Sequence, residues 1–247
     1  MKLKTAILIT LSILIFENTF AQTNTTTFST EDGVTVTADL YLIENEEAPF
    51  IILFHQAGYS RGEYLEIAPK LNELGFNCMA IDQRSGKGVN GIENSTFKNA
   101  SQLGKKTKYP DAIPDLEAAL QFVRNKYNPS KLIIWGSSYS AALVLYIGSK
   151  HPNEVHGILS FSPGEYFTID NQKISSFLSK IPCPVFITSA KNEQENWQEM
   201  YDAIKSDKIY FLPKIKGKHG SKALWESSDE HKDYWLAVTQ FLEKYNN

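Results

Sequence analysis

Six short apolar runs constrain this chain more than any other feature: residues 50–54, 78–81, 132–135, 158–161, 185–188 and 209–212, broken only by Ser160 and Thr188. Each is the length of a strand and nearly continuous in apolar character, which reads as a strand covered on both faces, the signature of a parallel sheet buried under helices. Segments with helical spacing fall between and after the runs, at 63–74, 114–127, 140–150, 172–178, 195–205 and 229–244. Ahead of the first run, residues 25–30, the Glu31-Asp32-Gly33 turn and the alternating Val34, Val36, Ala38 and Leu40 predict an antiparallel hairpin. The expected fold class is therefore α/β: a mostly parallel, doubly wound sheet entered through an N-terminal antiparallel hairpin. Gly75 after the first helix, Pro152 after the third and the Ser227 to Glu230 capping-box spacing before the last support these boundaries.

The N-terminus is of another kind. Lys2 and Lys4 precede an apolar run over 6–16, and a polar stretch then ends in Thr19-Phe20-Ala21. This is the pattern of a secretory signal peptide, residues 1–21, cleaved before Gln22. Eleven apolar residues fall short of the roughly 20 that a membrane span needs, and no later run is longer, so no membrane span is expected. The expected product is an exported protein, periplasmic or released, whose residues 22–247 form one domain.

The chain carries 25 basic and 28 acidic side chains; without Lys2, Lys4 and Glu17 these become 23 and 27, a net charge of −4. That balance gives no electrostatic footprint for nucleic acid. Lys105, Lys106 and Lys108 sit in a Gly-, Asn- and Ser-rich stretch over 85–109 that lacks apolar periodicity, and they read as part of a solvated loop. Cys78 and Cys183 fall on strands several positions apart, beyond bridging reach, so both are expected to be free thiols. No Cys/His spacing fits a zinc site.

The sharpest local signal is Leu132-Ile133-Ile134-Trp135-Gly136-Ser137-Ser138-Tyr139-Ser140, a buried run passing through a tight turn straight into a helix. Small residues are needed where strand and helix pack so closely, and Gly136 and Ser140 supply them around Ser138. Two further turns accompany it. Phe54-His55-Gln56-Ala57-Gly58 ends an earlier strand, and Lys214-Ile215-Lys216-Gly217-Lys218-His219-Gly220-Ser221 follows the last one.

Together these resemble the nucleophile elbow, oxyanion turn and histidine loop of the α/β-hydrolases, on the dienelactone-hydrolase-like and small serine-esterase branch. The motif here is G-x-S-x-S, with Ser140 where glycine is usual, and Ser138 stands where dienelactone hydrolases carry cysteine. The resemblance implies Ser138 as nucleophile, His219 as base and the backbone amides of Gln56 and Tyr139 as oxyanion donors, with His55 structural. It places the orienting acid after the run at 185–188, which favours Glu193, or after the preceding run, where Glu165 is the alternative. Tyr59, Tyr139, Tyr166 and Trp197 are candidate pocket walls. No cofactor is implied, and the expected partner is a small-molecule ester. Little chain is left for a cap domain. Thioesters, lactones and amides remain open as substrates. An alternative of another class also stands: Ser140 and Glu193 depart from the usual pattern, which fits a binding module on a decayed scaffold. Oligomeric state is not legible.

Overall fold

The computed structural model describes residues 23–45 and 47–246; the expected signal peptide lies outside them. The elements in chain order are β1 (Thr23–Ser29), β2 (Thr35–Tyr41), β3 (Phe50–Phe54), α1 (Ile67–Glu73), β4 (Asn77–Ile81), β5 (Gly88–Val89), β6 (Ile92–Glu93), α2 (Ser95–Gln102), α3 (Ile113–Tyr127), β7 (Leu132–Ser137), α4 (Tyr139–Lys150), β8 (Gly157–Phe161), β9 (Val185–Thr188), α5 (Gln194–Ala203), β10 (Lys208–Phe211) and α6 (His231–Leu242). Eight strands form one sheet in the order β1-β2-β4-β3-β7-β8-β9-β10. From β4 to β10 all neighbours run parallel, while β2 pairs antiparallel with both β1 and β4.

Strand pleating explains how one apolar run serves two cores. Phe50, Ile52, Phe54, Leu132 and Ile134 pack into a cluster with α3, α4 and α5, contributed by residues such as Leu116, Leu120, Leu143 and Trp197. The intervening Ile51, Leu53, Ile133 and Trp135 pack on the opposite face with Ile67 and Leu71 of α1 and with Tyr234, Val238 and Phe241 of α6. Successive side chains of a strand point to opposite faces, so continuous hydrophobicity is what a sheet covered on both sides demands. Helix α4, behind β7, is buried at every residue from Tyr139 to Ser149.

The chain leaves β3 for β4 on one side, and β7 later adds on the other. The strand order therefore reverses at the β3/β7 pair. Crevices outside the carboxyl ends of strands at such a switch point are where open α/β sheets bind ligands, and both the Ser138 and His55 turns leave the sheet there.

Three expectations are corrected. Residues 85–109 are not an irregular loop: they hold the short β5-β6 pair and helix α2. Asn94 caps α2 by accepting from the Phe97 amide at 2.7 Å, and the helix docks through polar groups, Thr96 Oγ1 accepting from the Thr37 amide and Asn99 Oδ1 from the Thr35 amide. A helix anchored this way carries no apolar periodicity to read. Residues 174–180 form a 3-10 turn and not an α-helix, and the helix expected over 63–74 is split into a 3-10 turn at 61–64 followed by α1. Cys78 and Cys183 are buried free thiols. Among the described residues no helix is long and apolar enough to cross a membrane.

Candidate active site

Ser138 is the single residue between the end of β7 and the start of α4, and its backbone sits at φ 58, ψ −119. A non-glycine residue rarely adopts this geometry, and it persists only where its surroundings over-determine it. They do so here. The Ser138 amide donates to Phe161 O at 2.8 Å and its carbonyl accepts from the Ala141 amide at 2.9 Å. A Cβ at Gly136 would lie 2.2 Å from the Ser140 carbonyl oxygen, so the strand and helix meet too closely there for any side chain. Ser140 has a positive use: its hydroxyl donates to His55 O and accepts from Gln83 Nε2, stitching the elbow to the turns after β3 and β4.

His219, 81 residues beyond Ser138, brings Nε2 to 2.8 Å from the Ser138 hydroxyl. Its other ring nitrogen, Nδ1, lies 2.7 Å from Glu193 Oε1. With Nδ1 protonated toward the carboxylate, Nε2 is the acceptor for the serine proton. Burial raises the Glu193 carboxyl, but hydrogen bonds from His219, Ser162 and the Ala190 amide outweigh it and hold the group below its usual range. Of the two acids weighed from sequence, Glu193 therefore reaches the imidazole. Glu165 is turned away, its oxygens accepting from the Ile174 and Ser175 amides at 2.7 and 2.8 Å. Ser162 is a further member of the site that the sequence does not single out. It has φ 56, donates through Oγ to Glu193 Oε2 at 2.7 Å and accepts from the Gly220 amide at 2.9 Å, so it joins the acid to the histidine loop. No local pattern marks it, because its partners lie 31 and 58 residues away.

The turn after β3 requires a correction. The Gln56 amide, expected to face an oxyanion, instead points inward and donates to Glu63 Oε2 at 2.7 Å. The Gln56 carbonyl is also held: it accepts from the Tyr59 amide at 3.2 Å and lies 2.8 Å from His55 Nδ1. His55 Nε2 receives the Gln83 amide at 2.9 Å, which puts the ring proton on Nδ1 and makes it the donor to Gln56 O. Full burial pushes His55 down to about 4, in keeping with a neutral ring. In a trans peptide the C=O and the next N–H are antiparallel, so the Ala57 amide is directed away from the His55 ring. It has no protein acceptor among the described residues. Tyr139 opens α4, so its amide is one of the first-turn groups without an intrahelical partner.

The pocket candidates divide. Tyr166 is 40% exposed and donates to Ser162 O at 2.8 Å; burial first, then the Glu193 charge, pushes its phenol up to about 12. Tyr59 stacks at 8° against Trp225, with ring centroids 6.2 Å apart. Tyr139 is buried and stacks on the partly exposed Tyr109 at 4.7 Å, with Phe167 edge-on to Tyr109. Trp197 is not a pocket wall. It is fully buried in the core, its indole donating to Ser189 Oγ at 2.8 Å and packing against Tyr201 and Tyr210. A helix with an apolar stripe turns that stripe inward, and Trp197 shares its buried face with Met200.

A family model described as serine aminopeptidase, S33, matches residues 45–224. The chain belongs to this family of α/β-hydrolases. No curated protein matches it by sequence. Among solved structures, the hydrolase is similar to a dienelactone hydrolase from Anabaena variabilis, with TM-score 0.72 and 13% identity over 92% of this chain and 99% of the other. An esterase of Pyrococcus furiosus aligns with TM-score 0.67 and 18% identity, covering 92% and 93%. An acetyl xylan esterase from Thermoanaerobacterium aligns with TM-score 0.65 and 16% identity, covering 93% and 86%. At these identities the likeness concerns the fold.

Proposed function

We propose that this α/β-hydrolase is an exported serine esterase that hydrolyses small carboxylic esters through an acyl-enzyme. The carrying observation is the unbroken chain from Ser138 Oγ to His219 Nε2 at 2.8 Å and from His219 Nδ1 to Glu193 at 2.7 Å. His219 takes the serine proton as Ser138 attacks the ester carbonyl, and Glu193 stabilises the imidazolium that forms. The proton then passes to the leaving alcohol, and water, activated by the same imidazole, releases the acid. The amides of Tyr139 and Ala57 are the oxyanion donors in this reading; each such donor is worth roughly 3 to 4 kcal/mol of barrier. The chemistry calls on no metal or cofactor.

Two observations favour an esterase over an aminopeptidase and over a binding module. The carboxylates around the site are committed: Glu193 to His219 and Ser162, Glu165 to two amides, and Glu63 to Gln56 and Ser137. Each of the three is engaged by the protein's own donors, so none of them is dedicated to the α-ammonium that an aminopeptidase must recognise. Ser140 and Glu193, the departures that kept a binding module open, each make bonds suited to a working site.

Turnover of p-nitrophenyl acetate, butyrate and octanoate by the protein and by Ser138→Ala tests the reading. Hydrolysis that favours the short esters and disappears in Ser138→Ala is expected, whereas equal rates in the two proteins would overturn it. The export component predicts that protein recovered outside the cytoplasm begins at Gln22; an N-terminus retaining residues 1–21 would contradict it.

A further inference from the structure

Of the buried carboxylates that the reaction outlined above does not use, Asp39, Asp82 and Asp115 are paired with arginines, whereas Glu63 has no cationic partner in a salt bridge among the described residues. Glu63 lies in the 3-10 turn after the oxyanion loop and is wholly inaccessible to solvent. Each of its oxygens receives a donor: the Gln56 amide at Oε2, and the Ser137 hydroxyl at Oε1, both at 2.7 Å. Ser137 Oγ in turn accepts from the Ser221 amide at 2.9 Å. One side chain thus touches the oxyanion turn and the residue before the nucleophile, and through that residue the loop two positions beyond His219.

We propose that the ionised carboxylate of Glu63 is a positioning residue for catalysis, holding the Gln56 amide inward so that the Ala57 amide is presented to the oxyanion, and fixing the His219 loop through Ser137. The inference rests on the serine-esterase reading. Its physical basis is a count of protons. The Gln56 amide has no choice but to donate. Ser137 accepts from Ser221, so its own proton is the one directed at Glu63. A protonated Glu63 would bring a proton of its own to oxygens that each already face a donor, and for that proton to be accepted within the site either the Gln56 peptide or the Ser137 hydroxyl would have to turn.

The cost of keeping a charge there argues that it is needed. Burial pushes the Glu63 carboxyl up to about 7, against the hydrogen bonds from Gln56 and Ser137 and the more distant charges of Lys222 and His219. Tyr59 and Tyr64 are the other titratable groups facing it. A glutamine would fill the same space without a charge, so packing alone gives no reason for an acid.

The test compares the protein with Glu63→Gln on p-nitrophenyl acetate across pH, with Ser138→Ala as the control. The control decides the reading on which the inference rests: if the unmodified protein turns over no faster than Ser138→Ala, the esterase reading fails and the proposal falls with it. Where the unmodified protein turns over, Glu63→Gln should lower kcat by about 10- to 100-fold with KM unchanged. The acid limb of its log kcat profile should lose one proton, passing from a slope approaching two to a slope of one. A folded Glu63→Gln with the kcat and pH profile of the parent would overturn the proposal. Should that variant not fold, carbon-13 NMR of the unmodified protein serves: the glutamate carboxyl titrating near 7 should share its midpoint with a step in the rate profile, and a midpoint with no counterpart in the rate refutes the role.

Discussion

Ser162 Oγ donates to Glu193 Oε2 at 2.7 Å, so the carboxylate that meets His219 is held from its far side by a residue on a different strand end. The same hydroxyl accepts from the Gly220 amide, next to His219 itself. The acid and the base are therefore clamped to one another twice, once directly and once through Ser162. Ser162→Ala should lower kcat by roughly tenfold or more by loosening this geometry. The loss of a buried donor and acceptor should also cost about 1–3 kcal/mol of stability. Steady-state kinetics with chemical denaturation checks both, and a variant with parental kcat would show that Glu193 needs no such support.

The two glutamates should separate cleanly. Glu193→Gln keeps the shape but removes the charge that stabilises the imidazolium, and a loss on the order of 10³- to 10⁴-fold in kcat is expected. Glu165→Gln loses only an acceptor for the Ile174 and Ser175 amides, so its kcat should stay within a few-fold of the parent while stability falls by about 1 kcal/mol. The reverse ranking would reassign the acid.

Glu63 makes an opposite prediction for stability. Its carboxyl is raised from 4.5 to about 7 on folding. A group so raised contributes stability that is fully present below about 4.5 and is lost as pH rises through about 7, an effect on the order of 3 kcal/mol. Glu63→Gln escapes that loss. The lost hydrogen bonds set a constant offset between the two proteins, and on top of it the variant's melting temperature should gain on the parent's as pH rises from 4.5 to 8. A difference that does not change with pH would contradict the burial argument.

Ser140 provides a test of the unusual G-x-S-x-S motif. Restoring the more common glycine by Ser140→Gly should weaken the protein, because bonds to His55 O and Gln83 Nε2 are lost and glycine is a poor helix former. A destabilisation of about 2–4 kcal/mol follows from those terms together. A thermal melt equal to the parent's would mean that the hydroxyl is incidental.

How far the sequence could be read depended on the range of the interactions concerned. The runs at 50–54 and 132–135 revealed the central strands because burial on both faces is written in consecutive residues, and Gly136-Ser137-Ser138 is informative because the turn's steric demand is local. Glu63, Ser137 and Ser162 could not be found in this way, since their roles arise only when turns 74, 84 and 31 residues apart meet at one sheet edge. The sequence points to the wrong amide at Gln56 for a related reason: which of two successive amides faces outward is decided by Glu63 and His55, and neither constraint is visible in the order of residues. Trp197 resembles a pocket aromatic in one dimension, and only the helix's orientation places it in the core. Helix α2 leaves no mark in the hydrophobic pattern because it is held by polar contacts instead of an apolar stripe.

The central claim is that Ser138 is a nucleophile activated by His219, and the most direct measurement is mass spectrometry of the protein after treatment with a small alkyl p-nitrophenyl phosphonate. One phosphonyl adduct per chain, mapped to Ser138 and abolished in both Ser138→Ala and His219→Ala, is the predicted result. An adduct on another residue, or none on a folded protein, would contradict the account.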